Sequence, residues 1–237
     1  MEIRDAVVVL TGASAGIGEA TAHELARQGA KLVLAARRSQ RIEALAAELT
    51  AAGTNAIAVP TDMTDAAQVK ALIAVTRERF GRIDVLINNA GIAAICPLEK
   101  MPDEPFRQMF ELNVLGSLHA MQAVVPVMRA QGGGLIVNVS SMVTKVIWPS
   151  MGAYAATKFA LNGLSETMRV EGRRDNIRVT SIFPDNTLTD FGSNALTHVD
   201  PPTSLPEGAE PRQDPPEYVA GRIAQAIRDE PAECRMG

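Results

Sequence analysis

Short, unbroken apolar runs alternate with longer stretches whose apolar positions recur every three or four residues. AVVVLTG reads as a strand buried on both faces, and IGEATAHELARQG as a helix closed by Gly29. KLVLAA is a second strand, followed by the amphipathic helix SQRIEALAAELTAAG with Ser39 as its expected N-cap. NAIAVPTD, DAAQVKALIAVTRERFG and IDVLINNAG continue the series as strand, helix and strand. Apolar strands joined by helices pair in parallel and are covered on both sides. The pattern therefore predicts an α/β, doubly wound parallel sheet of six to seven strands with right-handed crossovers.

The second half keeps the rhythm with longer helices. PFRQMFELNVLGSLHAMQAVVPVMRAQ is expected to be one helix, bent at Pro126; GGGLIVNVSS is strand five and NIRVTSIFP strand six. Between them, SMGAYAATKFALNGLSETMRVEGR forms a second long helix. Both helices are apolar on more than one face, which requires burial beyond one side. Ala153, Ala156, Ala160 and Gly163 would let a partner helix approach closely, so self-association is expected. The stretch 190–217 has no sustained period and carries six prolines from Pro201 to Pro216. A loop of that length in a compact domain is usually functional, and its place after strand six suggests a lid. PPEYVAGRIAQAIRDE returns to helix, and CRMG leaves a seventh strand open. One domain over 1–237 is expected.

Composition narrows the function. A chain of 237 residues with 46% hydrophobic content supports one sizeable core. A net charge of -4 without a basic block argues against nucleic acid. Cys96 and Cys234 make no disulfide framework, and His23, His119 and His198 make no metal motif. No apolar run reaches the length of a membrane span, and no leader is visible, so a cytoplasmic location is expected.

Two stretches carry candidate chemistry. TGASAGIG follows the first strand and opens the first helix; Gly12, Gly16 and Gly18 permit a tight turn and close backbone approach. The helix N-terminus behind them suits a pyrophosphate. The spacing, Gly-x3-Gly-x-Gly, differs from the general dinucleotide fingerprint. At the end of strand two, Ala36 replaces the acidic residue that would hold a ribose 2′-hydroxyl, and Arg37 and Arg38 follow. Guanidinium groups accommodate a 2′-phosphate, so NADP(H) is expected over NAD(H). The alternative is that both arginines are solvated starts of the next helix. Tyr154 and Lys158 share one helical face. A free tyrosine has a pKa of roughly 10, and a neighbouring ammonium is expected to lower it, making Tyr154 a general acid or base. Ser141 ends the run LIVNVS, where a strand tip aims its hydroxyl at the same place; Ser140 points to the opposite side.

In order along the chain, TGASAGIG, Asp62 in PTDMTD, NNAG, Asn113 in LNVLG, Ser141 and YAATK resemble the short-chain dehydrogenase/reductase family, from Thr11 to about Thr189. The resemblance implies a Rossmann-type fold and a proton relay of Asn113, Ser141, Tyr154 and Lys158. It implies that Ser141 hydrogen-bonds the substrate oxygen, that Lys158 also holds the nicotinamide ribose, and that the Asn113 carbonyl continues the route through water. Implied cofactor contacts are Gly12, Ser14, Gly16, Ile17, Gly18, Arg37, Arg38, Asp62, Met63, Asn89, Ala90, Gly91, Tyr154, Lys158, Pro184, Thr187 and Thr189. Asp62 would lie near the adenine, though with Thr61 and Thr64 beside it a helix-cap role is the alternative. Asn113 has its own alternative, a polar residue satisfied inside a helix. The family usually has glycine after the proline of strand six; here Asp185 follows Pro184, and the backbone path would survive if aspartate adopts positive φ. Val143, Ile147, Trp148 and Met151, with Ile92 and Ile95, suggest an apolar substrate pocket. The expected activity is NADPH-dependent reduction of a ketone or aldehyde, reversible toward the alcohol, and the resemblance implies a homodimer or homotetramer. Alternatives are a carrier-linked 3-oxoacyl reductase and a non-catalytic NADP-binding regulator or scaffold.

Overall fold

The computed structural model describes residues 1–197, 199 and 213–236. Seven strands form one sheet: β1 (Val7–Thr11), β2 (Lys31–Ala36), β3 (Ala56–Pro60), β4 (Val85–Asn88), β5 (Gly134–Val139), β6 (Ile177–Phe183) and β7 (Glu233–Arg235). All pairings are parallel, in the order β3-β2-β1-β4-β5-β6-β7. The chain winds outward from β1 to β3, returns to the centre at β4 and winds the other way. That reversal opens a crevice at the carboxyl ends of β1 and β4.

Side chains alternate across the sheet. Val8 and Leu10 face a core closed by α1 (Gly16–Arg27), α2 (Ser39–Ala51) and α7 (Pro216–Asp229), whose Leu25, Ile42 and Ile223 are fully buried. Val9 faces the other way, with Val33 and Leu86, onto Leu72 of α3 (Ala66–Phe80) and Met121 of α5 (Ser117–Ala130). Truncating one such leucine to alanine costs about 2–5 kcal/mol.

Helix ends show where local chemistry decides. Asp65 caps α3, its carboxylate accepting from the amides of Ala67 and Gln68 at 2.8 and 3.2 Å. Gly81 then stops it in the left-handed region. Ser39 is not the cap of α2: it is the first helical residue, and Arg38 at the cap position makes no side-chain cap. Turns at the amino ends of the strands also pass through Gly53 and Gly132, which follow α2 and α5.

The long helix of the second half is α4 (Asp103–Phe110), a wide π-type turn over Glu111–Gly116, and α5. Its departure from regular hydrogen bonding lies at Asn113, upstream of Pro126. α6 (Gly152–Glu171) follows β5. Ala153 is buried in the chain's own core, so it is not available to a partner helix. Ala156, Phe159, Gly163 and Val170 are exposed along α6.

β7 exists, beside β6 with Ile182 paired to Cys234. Its glutamate, Glu233, receives Arg235 at 2.7 Å and Lys145 at 3.0 Å. Of the stretch expected as a lid, positions 198 and 200–212 lie outside the described residues. The part before them runs beside the segment after β4: Leu196 N donates to Ala93 O (2.8 Å), Ile95 N to Thr197 O (2.7 Å) and Val199 N to Ile95 O (3.0 Å). No described helix is long and apolar enough to cross a membrane.

Candidate active site

β1 delivers Thr11 to the crevice, and its hydroxyl organises the neighbouring strand end. It donates to Ile87 O (3.1 Å) and accepts from the amides of Asn89 (3.0 Å) and Ala90 (3.1 Å). The Asn89 side chain donates to Thr11 O and Gly12 O at 3.0 and 3.3 Å. The glycine loop is thereby pressed against 89–90. A Cβ on Gly12 would stand 2.8 Å from Ala90 Cα, and one on Gly18 only 2.2 Å from Gly12 O. Across the crevice, a Cβ on Gly16 would lie 3.0 Å from the Thr189 methyl.

Ala15 at the N-cap of α1 offers no side chain to the first-turn amides. The N-terminus at Gly16, Ile17 and Gly18 can therefore serve an anion. A close-packed glycine cradle ahead of an uncapped helix fits a dinucleotide pyrophosphate. Arg38 donates to Ser14 Oγ from Nε (3.0 Å) and Nη2 (2.8 Å), placing its guanidinium on the loop; Arg37 is exposed. Asp62 accepts from Thr64 N (3.0 Å) and Oγ1 (2.9 Å) and caps nothing, since Asp65 holds the helix. Met63 is buried, and its carbonyl lies 2.8 Å from where a Cβ on Gly116 would be, so 62–63 packs on the wide turn.

That turn carries Asn113, fully buried. Its side chain accepts from Ile92 N (2.9 Å) and donates to Ile92 O (2.9 Å) and Thr157 Oγ1 (3.0 Å). The carboxamide thus fastens the segment after β4 to α6, as a polar residue satisfied in the interior would. Its backbone carbonyl receives Ser117 Oγ at 3.1 Å. A Cβ on Gly91 would be 3.2 Å from Asn113 Oδ1 and 3.7 Å from Lys158 Nζ, so these groups meet at one point.

Tyr154 and Lys158 stand one turn apart on α6, both buried (6% and 4% exposed). Lys158 Nζ donates to Val139 O at 2.8 Å and lies 5.7 Å from the phenol ring centre. Ser141 hydrogen-bonds Tyr154, and its Oγ also accepts from Val143 N at 3.3 Å. Ser140 turns inward and donates to Asn162 Oδ1 at 2.6 Å. The expected acidification of the phenol by its ammonium neighbour is not what dominates: burial pushes Tyr154 well above its ordinary value, and only the Ser141 hydrogen bond opposes it. Burial also pulls the Lys158 ammonium down to about 8. Burial thus loosens the hold of Lys158 on its proton.

The apolar surroundings differ from expectation in two places. Val143, Trp148, Met151 and Ile92 cluster with Tyr154, whereas Ile147 is 74% exposed and Ile95 engages Thr197 and Val199 through its backbone. Phe191, absent from the sequence-derived set, sets its ring edge-on to Tyr154 with centres 5.8 Å apart. Being the one aromatic of its loop was its only signal. Pro184 accepts from Met142 N at 2.8 Å, tying the end of β6 to the Ser141 loop. Asp185 does not adopt positive φ; its carboxylate instead accepts from Asn186 N at 2.8 Å. Thr187 bridges to Asp214 in parallel.

A separate cleft of about 670 Å³ between the ends of α5 and α6, lined by Arg129, Met168 and Val170 among others, contains none of these residues. The groups able to carry a proton, Ser141, Tyr154 and Lys158, lie together away from that cleft.

A family model described as short chain dehydrogenase matches residues 6–200. An uncharacterized oxidoreductase of Listeria innocua is 35% identical over 238 residues, covering 100% of this chain and 95% of its own. An alcohol dehydrogenase of Thermococcus sibiricus, solved with 5-hydroxy-NADP, is 30% identical with a TM-score of 0.84, over 98% of this chain and 96% of that one. A 7α-hydroxysteroid dehydrogenase, solved with NADH and 7-oxo glycochenodeoxycholic acid, is 28% identical with a TM-score of 0.87, over 99% and 94%.

Proposed function

This chain belongs to the short-chain dehydrogenase family and is an oxidoreductase, and from that premise we propose that it reduces a ketone or aldehyde with NADPH, reversibly. The observation that carries the reading is the buried Tyr154 phenol, hydrogen-bonded by Ser141 and one helical turn from Lys158, whose Nζ lies 3.7 Å from a Cβ placed on Gly91. The nicotinamide supplies the hydride when bound. Ser141 hydrogen-bonds the substrate oxygen and orients it. Tyr154 hands its proton to that oxygen as negative charge develops there. A phenol raised by burial holds this proton until the oxygen is basic enough to take it. Lys158, its proton loosened by burial, replaces the proton, and the Asn113 carbonyl provides the next acceptor through water.

Preference for NADPH rests on Arg38, whose guanidinium is already folded onto the phosphate loop with no carboxylate at Ala36 to compete. The loop from 190 acts as the lid, and the exposed stripe of α6 as the face of a homodimer or homotetramer. NADPH oxidation is assayed against a panel of ketones, with NADH in parallel. Tyr154→Phe is expected to lower kcat by about 10²–10⁴-fold while nucleotide binding is retained. Absence of turnover on every carbonyl, with NADPH bound, would instead favour a binding protein.

A further inference from the structure

Three adjacent strands, β4, β5 and β6, send their following loops to the same mouth, and each contributes apolar side chains to solvent. Leu98 is 69% exposed after β4, Ile147 74% after β5, and Phe191 39% after β6. Independent contacts draw the loops together. Leu98 lies against Gly152 at the start of α6, within 3.0 Å of a Cβ placed there. Cys96 N donates to Ser150 O at 2.9 Å, and Leu196 N to Ala93 O at 2.8 Å. Phe191 meets Tyr154 itself. Isolated exposed aliphatics are ordinary on a protein surface, but Phe191 touches Tyr154 and Ile147 adjoins Trp148 of the apolar cluster around that phenol, and a set so placed marks a binding surface.

The charges of the same loops exclude one class of ligand. Across 92–98, 141–155 and 184–197 the sole cation is Lys145, and it is committed: Nζ is 3.0 Å from Glu233 and sits over the Phe183 ring at 4.2 Å. Lys158, deeper in, is held on Val139 O. The carboxylates are Asp185 and Asp190. A substrate carboxylate or phosphate entering here would lose water, meet no uncommitted cation and face two like charges, a costly combination.

We propose that the substrate is a neutral carbonyl or secondary alcohol with a bulky hydrocarbon body, and that Ile147 and Phe191 select for that bulk. This rests on the carbonyl-reductase reading above. The carrier-linked acyl group, with its phosphorylated tether, is disfavoured by the same charges.

The test uses the full chain with saturating NADPH and compares cyclohexanone, 2-decalone, 2-pentanone and levulinate. Expected are kcat/KM for 2-decalone about tenfold or more above cyclohexanone, and for levulinate about tenfold or more below 2-pentanone. Ile147→Ser and Phe191→Ala should each cut the 2-decalone to cyclohexanone ratio by about threefold or more; both side chains are accessible enough for the fold to tolerate the change. Equal kcat/KM for the two cyclic ketones, for levulinate and 2-pentanone, or an unchanged ratio in both variants overturns the inference and leaves carbonyl reduction standing. A changed oligomeric mass in Ile147→Ser by light scattering makes the rim a subunit contact and also overturns it. No turnover on any of the four, with NADPH bound, removes both readings together.

Discussion

Around the glycine loop there is no room for an added methyl at Gly12 or Gly18, whereas around Tyr154 the outer walls are loop side chains still facing water. The first region is built from backbone: Thr11, Gly12 and 89–90 hold one another through main-chain atoms and two short side chains. The second is built from side chains on three loops that touch at a few points. A site that fixes the part common to many reactions can be rigid and stereotyped. The part that recognises one substrate can vary residue by residue without disturbing it.

The sharpest way to break this contrast is Gly18→Ala. With 2.2 Å available to the new carbon, the loop must shift, at about 1–3 kcal/mol. NADPH affinity by fluorescence titration should fall by about tenfold to a hundredfold; unchanged affinity would mean that the cradle is as pliant as the mouth. Next is Arg38→Ala. Loss of a charge-assisted contact is worth about 1.5–3 kcal/mol, so the ratio of NADPH to NADH affinity should drop by about tenfold or more. An unaltered ratio would return Arg38 to the role of helix start.

Lys158 tests the dry side of the mouth through pH. Its folded value is about 8 and the ordinary value 10.5, so between them the unfolded chain binds more protons. Stability contributed by this group therefore rises with pH from about 8 to about 10.5 and is constant outside that window. Tm of the nucleotide-free protein should follow this course, and Lys158→Met should flatten it; parallel curves would show a wetter lysine. The smallest effect belongs to Asp185→Gly. Because Asp185 has ordinary φ, glycine adds only chain entropy and removes a local hydrogen bond, about 0.5–1 kcal/mol. Tm should fall by about 1–4 °C, with a measurable change in nucleotide affinity.

Much of the architecture was legible because parallel strands buried on both faces must be continuous apolar runs, as VVVLT and GLIVNV are. That the glycine loop would open α1 and that Ser141, Tyr154 and Lys158 would meet was legible for a related reason: their spacing follows from local geometry. What escaped was decided by tertiary contact. ECR of β7 has no apolar run, and it is placed by its backbone pairing with β6 and by Lys145 on Glu233. The wide turn at Asn113 changes hydrogen-bond partners without interrupting helical periodicity. Ser39 and Asp65 are both plausible caps by type, and only Asp65 has its carboxylate on free amides. The phenol's raised proton affinity follows from burial, which a four-residue spacing does not encode.

The turns through Gly53, Gly81 and Gly132 have nothing within 4 Å of an added side-chain carbon, and they lie at the end of the sheet opposite the crevice. Such tips accept insertions and attachments at the residues flanking these positive-φ glycines. Coupled to a solid support through any of them, the catalyst would be oriented with its mouth outward, so immobilisation need not cost access.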